Sequence, residues 1–490
     1  MIGPASAVLP PLLQATKSVY LDGKWEDGQG AEVLDFNPST GAPLIALRSA
    51  GISQVDRAVE AATNAQPRWA ALGYVTRARY LQKMADIVDD NVSDLSRVLA
   101  LEVGKPLSQG LGELGWASGT LRYQAGWADK ITGEIIPSDD PWETISLIRV
   151  PVGVVVAICA WNFPMAMFFR KVAPALLAGN TVVLKSSETT PLSALALMHL
   201  LEESDLPHGV LNVVTGAADV GAQLAGHPGA DLVTMTGSQA AGKLVMAAAA
   251  QNLTKVSLEL GGKAAAIVWS DADLSVAVPA LVTSRHLNSG QVCTSSERLY
   301  VHADIAAEFI AQYSAAVQKL QVGDPFNDVD MGPLVSEAQL LKVNAFVSQA
   351  LEAGAQRAFS PDPVKAGGGY WFPPTVLLGL TQTMPIMQTE VFGPVTPVMS
   401  VSSLDEALSL ANDSVYGLSG YVFSTSHDVV MRVTRELQCG EIYVNRALGE
   451  AYQAHHSGHK QSGVGGEDGY HGLLRYTGIR SVYQHYSDHG

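Results

Sequence analysis

The chain predicts an α/β fold: a parallel sheet flanked by helices, a second α/β domain and a small β-ribbon arm. Three observations carry that expectation. Between residues 150 and 260 short apolar runs alternate with helical stretches, the pattern of parallel strands joined by right-handed crossovers. The 490 residues exceed what one ordinary core organises, so two or three domains are expected. The segment 130–149, with Glu134-Ile-Ile136 and Thr144-Ile-Ser-Leu-Ile-Arg149, has the alternation of a β-hairpin and little core of its own.

In chain order, the first sixteen residues, with Pro4, Pro10 and Pro11, read as a mobile arm. A Gly-rich strand and turn cover 19–30. One long helix opens at Ser53 as its N-cap and a second runs through 79–88, each with apolar residues at helical spacing. Gly104-Lys-Pro106 ends this helical region. Strands are then expected at 152–160, 181–184, 210–214, 232–235 and 255–260. Helices between them cover 168–178, 191–203, 220–227 and 238–250, the first stopped by Gly179. Ligands in such sheets sit beyond the carboxyl ends of the strands. The hairpin at 130–149 is read as an oligomerisation arm, because a long ribbon without a core needs a partner surface; a plain surface hairpin is the alternative.

Composition narrows the function. Apolar residues make up 47% and charged residues 16% of the chain, which is globular. A net charge of −16 argues against nucleic-acid or anionic-membrane partners, although a few local arginines still allow an anionic small substrate. No apolar run approaches the roughly 18–20 residues that span a bilayer. No Lys or Arg precedes Lys17, so a signal peptide is not expected. Three cysteines form neither a zinc pattern nor a disulfide framework, and a reducing cytoplasm is the expected home.

Cys293 lies in Asn288-Ser-Gly-Gln-Val-Cys-Thr-Ser-Ser-Glu297, a polar Gly-containing segment with small neighbours. A thiol with space around it is a candidate covalent nucleophile, with a buried hydrophobe as the alternative. Beyond the first strand stands Trp161-Asn162-Phe163-Pro164, where an amide is either an oxyanion donor or a turn residue. Lys185 and Glu188 follow the second strand, as ribose ligands or as a surface ion pair. Met235-Thr-Gly237-Ser238 opens a helix whose N–H groups face a phosphate if one is bound. Gly216-Ala-Ala-Asp-Val-Gly221 has the look of a degenerate Gly-rich loop. Glu259, before Gly261 and Gly262, is a candidate general base for water. Glu390-Val-Phe392-Gly-Pro394 offers a carboxylate and an aromatic on a turn.

Taken together, Trp161-Asn-Phe-Pro164, Met235-Thr-Gly-Ser238, Leu258-Glu-Leu-Gly-Gly-Lys263, Gly290-Gln-Val-Cys293 and Glu390-Val-Phe-Gly-Pro394 resemble the aldehyde dehydrogenase superfamily in order and approximate spacing. The resemblance covers essentially the full length. It implies an aldehyde-dehydrogenase-like fold with an NAD-binding domain (1–128 and 150–260), a catalytic domain (261–465) and an oligomerisation region (129–149 and 466–490). It implies Cys293 as nucleophile, Asn162 with the Cys293 N–H as oxyanion donors, Glu259 as the base for hydrolysis and Lys171 within the catalytic set. Lys185 and Glu188 are implied at the adenosine ribose. Trp161, Gly221, Gly237 and Ser238 are implied around the dinucleotide, and Glu390 with Phe392 at the nicotinamide end. A carboxylate at Glu188 repels a 2′-phosphate, so NAD is expected, with NADP as the alternative cofactor.

Phe168-Phe-Arg-Lys171, Gly369-Tyr-Trp-Phe-Pro-Pro374, Asn445-Arg446, His456-Ser-Gly458 and Ser462-Gly-Val-Gly-Gly466 resemble most the bacterial lactaldehyde/glycolaldehyde branch. That likeness implies a small cationic pocket made by Arg170, Arg446 and His456, a hydroxylated or anionic aldehyde as substrate, and a homo-oligomer, dimer or tetramer. Thr294, Ser295, Leu448-Gly449, Tyr452 and His455 depart from the branch, which leaves a semialdehyde, a sulfonated aldehyde or an aromatic aldehyde open. Acyl transfer to CoA or phosphate and an inactive binding scaffold are the other readings; Glu259 and Cys293 speak against them. His455, His456 and His459 have no acidic or thiol neighbours in sequence, so no metal is expected.

Overall fold

A computed structural model describes residue 13, residues 17–361 and residues 368–487. Two large sheets organise it. The first has eight strands, with Lys255–Glu259, Leu232–Thr236, Val154–Ile158, Thr181–Lys185 and Leu211–Val214 side by side and parallel at its centre. Val154–Ile158 is buried along its whole length, as an uninterrupted run of small and branched apolar residues requires of a strand covered on both faces. Val155 and Ala157 pack into the core on one side, and Val154, Val156 and Ile158 into the core on the other. Antiparallel edges close the sheet: Val19–Leu21 lies on Leu211–Val214 and Gly463–Val464 lies on Lys255–Glu259. The 261–465 segment therefore returns a short strand to the first sheet.

The second sheet has seven strands, centred on Ala264–Val268 and Ser296–His302, and is parallel apart from its edge Gln356–Phe359. A third, three-stranded sheet joins Glu134–Ile136, Glu143–Pro151 and Thr477–His485. The expected hairpin thus gains a strand from the chain's end, paired over nine residues from Thr477 opposite Pro151 to His485 opposite Glu143.

Several boundaries differ from expectation. The first long helix is Ile52–Ala70 with Gly51 as N-cap; Ser53 lies inside it, and the Gln54 side chain accepts from the Gly51 N–H at 3.0 Å. Gly104-Lys-Pro106 is a break between helices: Val92–Glu102 precedes it and Leu107–Ala125 follows. The Gly216–Gly221 stretch is not a loop either, since Gly221 sits within the helix Ala218–Ala225. Leu13, from the segment read as a mobile arm, is fully buried in the core, whereas Pro4, Pro10 and Pro11 lie outside the described residues.

The helix Pro164–Ala178 is buried on every side. Proline begins it and Gly179, at φ 96°, ends it in the left-handed conformation. An all-buried helix is unremarkable for its Met, Phe, Ala and Leu residues. It is costly for Arg170 and Lys171, which must find partners there.

Candidate active site

A cavity of about 850 Å³ opens where the carboxyl ends of the first sheet face the second. Cys293, Asn162, Arg170, Glu390 and Phe392 line it, as do Trp161, Lys185, Glu188, Gly221, Gly237 and Ser238. The fold thus brings eleven expected residues to one cleft. Glu259, Lys171 and His456 stand behind its wall, and Arg446 lies outside.

Cys293 follows a tight turn in which Asn288, Ser289 and Gly290 all take positive φ. That turn is pinned by buried bonds: Asn288 Nδ2 donates to the Asn162 carbonyl at 2.9 Å, and Gln291 Oε1 accepts from the Val335 N–H at 2.9 Å. Cys293 is half-buried and Cys159 fully buried. Burial raises the Cys293 thiol, and the neighbouring His456 offsets part of that rise. Asn162 Nδ2 donates to the Gln291 carbonyl at 3.0 Å, which engages one of its two amide hydrogens and leaves the second for an oxyanion. Lys105, fully buried, donates to the Asn162 carbonyl at 2.9 Å and pairs with Glu113.

Glu259 is 1% exposed, and neither of its carboxyl oxygens has a hydrogen-bond partner. Burial pushes it up to about 8, with the His456 charge partly opposing. Lys171 pairs with Glu467 at 2.5 Å and donates to Thr234 Oγ1 at 3.2 Å. It is a buried structural cation in this arrangement, tying the helix Pro164–Ala178 to the Gly465-Gly466-Glu467 turn.

On the cofactor side, Lys185 reaches Glu188 at 3.4 Å, with the carboxylate half-exposed and the lysine buried. Ser238 caps the helix Gln239–Ala249 through its hydroxyl, 3.2 Å from the Ala241 N–H. Glu390 accepts from the Gly262 N–H at 2.7 Å, and a Cβ on Gly261 would stand 2.5 Å from Glu390 Oε2. Only glycine admits that approach. Phe392, at φ 58°, meets Trp161 edge-on with centroids 5.2 Å apart.

The expected cationic pocket does not form. Arg170 Nη2 pairs with Glu450 at 2.6 Å and with Asp468 at 2.7 Å, so its charge is neutralised. Arg446 is exposed and donates to the carbonyls of Ala447 and Gly449 at 3.1 and 3.0 Å. His456 lies among carboxylates: Nδ1 is 2.8 Å from Glu441 and 3.7 Å from Glu450, and Nε2 is 3.7 Å from Glu259. Burial works against its charge, but Glu450 and Glu441 raise its pKa well above the ordinary value. Glu450 in turn is held well below the usual carboxylate range by His456 and Arg170, against the effect of burial.

Glu450 is the residue that sequence reasoning passed over. It also accepts from Thr294 Oγ1 at 3.0 Å, next to Cys293 in the chain. Its signal in the sequence was a lone carboxylate between Arg446 and His456. Trp116 was hidden with the helix that bears it: the ring lies 4.7 Å from the Arg170 guanidinium, and its Nε1 donates to the Glu450 carbonyl at 3.1 Å.

Residues 25–482 match the model of the aldehyde dehydrogenase family. Lactaldehyde dehydrogenase of Escherichia coli is 44% identical over 469 residues, covering 95% of this chain and 98% of that protein. Its crystal structure superposes with a TM-score of 0.94 at 43% identity, over 96% of this chain and 99% of that one. A 3,6-anhydro-alpha-L-galactose dehydrogenase of Vibrio is 42% identical, covering 95% and 98%. A D-glyceraldehyde dehydrogenase (NADP(+)) of Thermoplasma acidophilum is 37% identical, covering 96% of each chain.

Proposed function

Because the chain belongs to the aldehyde dehydrogenase family, and so oxidises an aldehyde with a nicotinamide cofactor, we propose that its substrate is a short, uncharged hydroxyaldehyde of the lactaldehyde or glycolaldehyde kind. The product is the carboxylic acid. The observation that carries this reading is the Arg170–Glu450–Thr294 cluster beside Cys293. It offers donors and an acceptor with no free positive charge, which suits a hydroxyl and does not suit a carboxylate or sulfonate. The named activities of the relatives, on lactaldehyde, anhydrogalactose and glyceraldehyde, agree with a polyhydroxylated or hydroxylated substrate.

Cofactor fit is supported by the buried, unpartnered Thr236 Oγ1 on the cavity wall and by the start of the helix Gln239–Ala249, where the Ser238 cap engages the Ala241 N–H and leaves other first-turn N–H groups for a phosphate. Glu188 beside Lys185 favours NAD, because a carboxylate accepts from a 2′-hydroxyl and repels a 2′-phosphate. The cofactor supplies hydride acceptance; the chain supplies position and charge. Cys293 Sγ attacks the carbonyl carbon, and its proton leaves to solvent. The alkoxide that develops is stabilised by the free amide hydrogen of Asn162 and the Cys293 N–H, donors of a kind worth about 3–4 kcal/mol each. Loss of hydride from the same carbon converts the thiohemiacetal to a thioester on Cys293. Glu259 takes a proton from water, which attacks the acyl carbon and frees the acid and the thiol. With no hydrogen bond holding it, the Glu259 carboxyl is free to turn toward the cavity.

A second reading rests on the cavity wall. Trp116, Phe163, Met167, Leu287 and Val292 are apolar, which favours an aromatic aldehyde. A panel of lactaldehyde, glycolaldehyde, succinate semialdehyde and benzaldehyde separates the readings. The hydroxyaldehydes are expected to give kcat/KM at least about tenfold above the others, the discrimination a lost site hydrogen bond readily produces. Glu450→Gln with Asp468→Asn, which removes both carboxylate partners of Arg170, is expected to narrow the gap to succinate semialdehyde. Turnover of benzaldehyde alone would replace this substrate with the second reading. The proposal includes a cytoplasmic homo-oligomer built through the three-stranded arm, where Ile135, Ile479 and Tyr483 are exposed. Among the described residues no helix is long and apolar enough to cross a membrane.

A further inference from the structure

His456 has no thiol or acidic neighbour in sequence, yet the fold supplies both. Cys293, Glu450 and His456 come from separate segments, and one sulfur, one oxygen and one ring nitrogen all lie within 4.8 Å of one another. We propose that these three side chains bind a borderline-soft divalent cation, zinc above all, and that the bound ion locks the nucleophile in an inhibited state.

Thiolate, imidazole and carboxylate are the donor types that zinc takes, at about 2.3 Å for sulfur and about 2.0–2.2 Å for nitrogen and oxygen. Small side-chain rotations close the three atoms onto such an ion. The surroundings are prepared for it. Nδ1 has Glu441 at 2.8 Å and Glu450 at 3.7 Å; a proton held there toward Glu441 leaves Nε2, 3.7 Å from Glu259, with a lone pair for the metal, the carboxylate–histidine–metal arrangement that fixes a ligand's tautomer. Glu450 is steadied by Arg170 and Thr294, and its oxygens retain lone pairs for the ion.

A second observation points the same way. Glu259, 1% exposed with both oxygens unpartnered, stands 3.7 Å from that Nε2. A buried carboxylate without a partner is costly, and a cation at this position offsets it. The groups around His456 are acidic in balance: among the described residues, Glu259, Glu441, Glu450, Glu467 and Asp468 face Arg170 and Lys171 as permanent cations. On binding, the thiol proton and any proton on Nε2 leave to solvent, so affinity rises with pH. The fourth coordination position faces the cavity, and a metal-bound sulfur cannot attack a carbonyl carbon. Inhibition therefore competes with aldehyde.

The test uses the full-length, tag-free, reduced protein in equilibrium dialysis against Zn²⁺ and Co²⁺. One ion per subunit is expected, with a thiolate-to-cobalt charge-transfer band. Zn²⁺ is expected to slow both alkylation of Cys293 by iodoacetamide and turnover, reversibly with a chelator. Cys293→Ser is expected to abolish the band, and His456→Gln to weaken binding at least about tenfold, the loss typical even of an outer-shell partner. His455→Gln with His459→Gln is expected to leave binding unchanged. Equal affinity in Cys293→Ser or His456→Gln, a cobalt complex without the band, or a bound metal with undiminished turnover would each overturn the proposal. Dialysis and spectra involve no aldehyde, so they stand or fall apart from the substrate assignment.

Discussion

Glu259 shows how one residue's surroundings set a reaction's pH dependence. It is buried beside His456 without a hydrogen bond to either oxygen, and desolvation lifts it to about 8. A base works only when deprotonated, so hydrolysis of the thioester is expected to rise with pH and level off above an apparent value near 8. The kcat profile of the wild type, with NADH release followed separately from acid release, checks this. A flat profile between pH 6 and 9 would remove Glu259 as the base. At this scale Cys293, Asn162 and Glu259, the residues proposed as nucleophile, oxyanion amide and base, stood out in the sequence as candidates, because short polar motifs at strand ends carry their chemistry locally. Glu450 was not. Its meaning depends on Arg170, 280 residues away, and only the fold brings the two within 2.6 Å.

Elements show the same division between local and distant causes. Strands and helices from 150 to 260 follow the alternation of apolar runs, since the strands Val154–Ile158, Thr181–Lys185 and Leu211–Val214 are buried along their whole length and their composition says so. Glu102 illustrates what that alternation leaves out. It is completely buried, and its carboxyl accepts from the N–H groups of Leu192 and Ser193 and from the Ser193 hydroxyl, capping the helix Pro191–Leu201. Asp35, also buried, lies against it with Oδ2 unpartnered. Burial, and then the Glu102 charge, raise Asp35; burial raises Glu102. A proton shared between the two satisfies that orphan oxygen. Acids raised in the folded state favour folding while protonated, so this contribution is intact below the unfolded carboxylate value near 4 and is lost as pH rises through the folded values. Asp35→Asn leaves both Glu102 oxygens to the helix and sets an amide donor where Asp35 Oδ2 stood, with Oδ1 still accepting from the Phe36 N–H. It is expected to flatten the loss of thermal stability between pH 6 and 9; an unchanged slope would show that the pair holds no proton.

For the whole molecule, the first sheet follows from pattern and the need for a further domain from length, whereas the strands of the second sheet and the arm's third strand do not. Nothing local in 477–485 announces pairing with 143–151; that contact is made by the fold's closure. The resulting three-stranded sheet exposes Ile135 at 78%, Ile479 at 58% and Tyr483 at 67%, an apolar surface that a partner subunit would cover. Ile479→Glu with Tyr483→Glu is expected to shift sedimentation toward the single subunit. A wild type that sediments as a monomer would contradict the oligomer.

The proposed chemistry passes through a covalent acyl-enzyme on Cys293, formed from a hydroxyaldehyde and resolved by Glu259. The most direct measurement incubates Glu259→Gln enzyme with NAD and glycolaldehyde, follows NADH, and maps any adduct by peptide mass spectrometry. One equivalent of NADH per active site, with a stable thioester on Cys293, is the expected result. Steady turnover by this variant, or a burst of NADH with Cys293 unmodified, would contradict it.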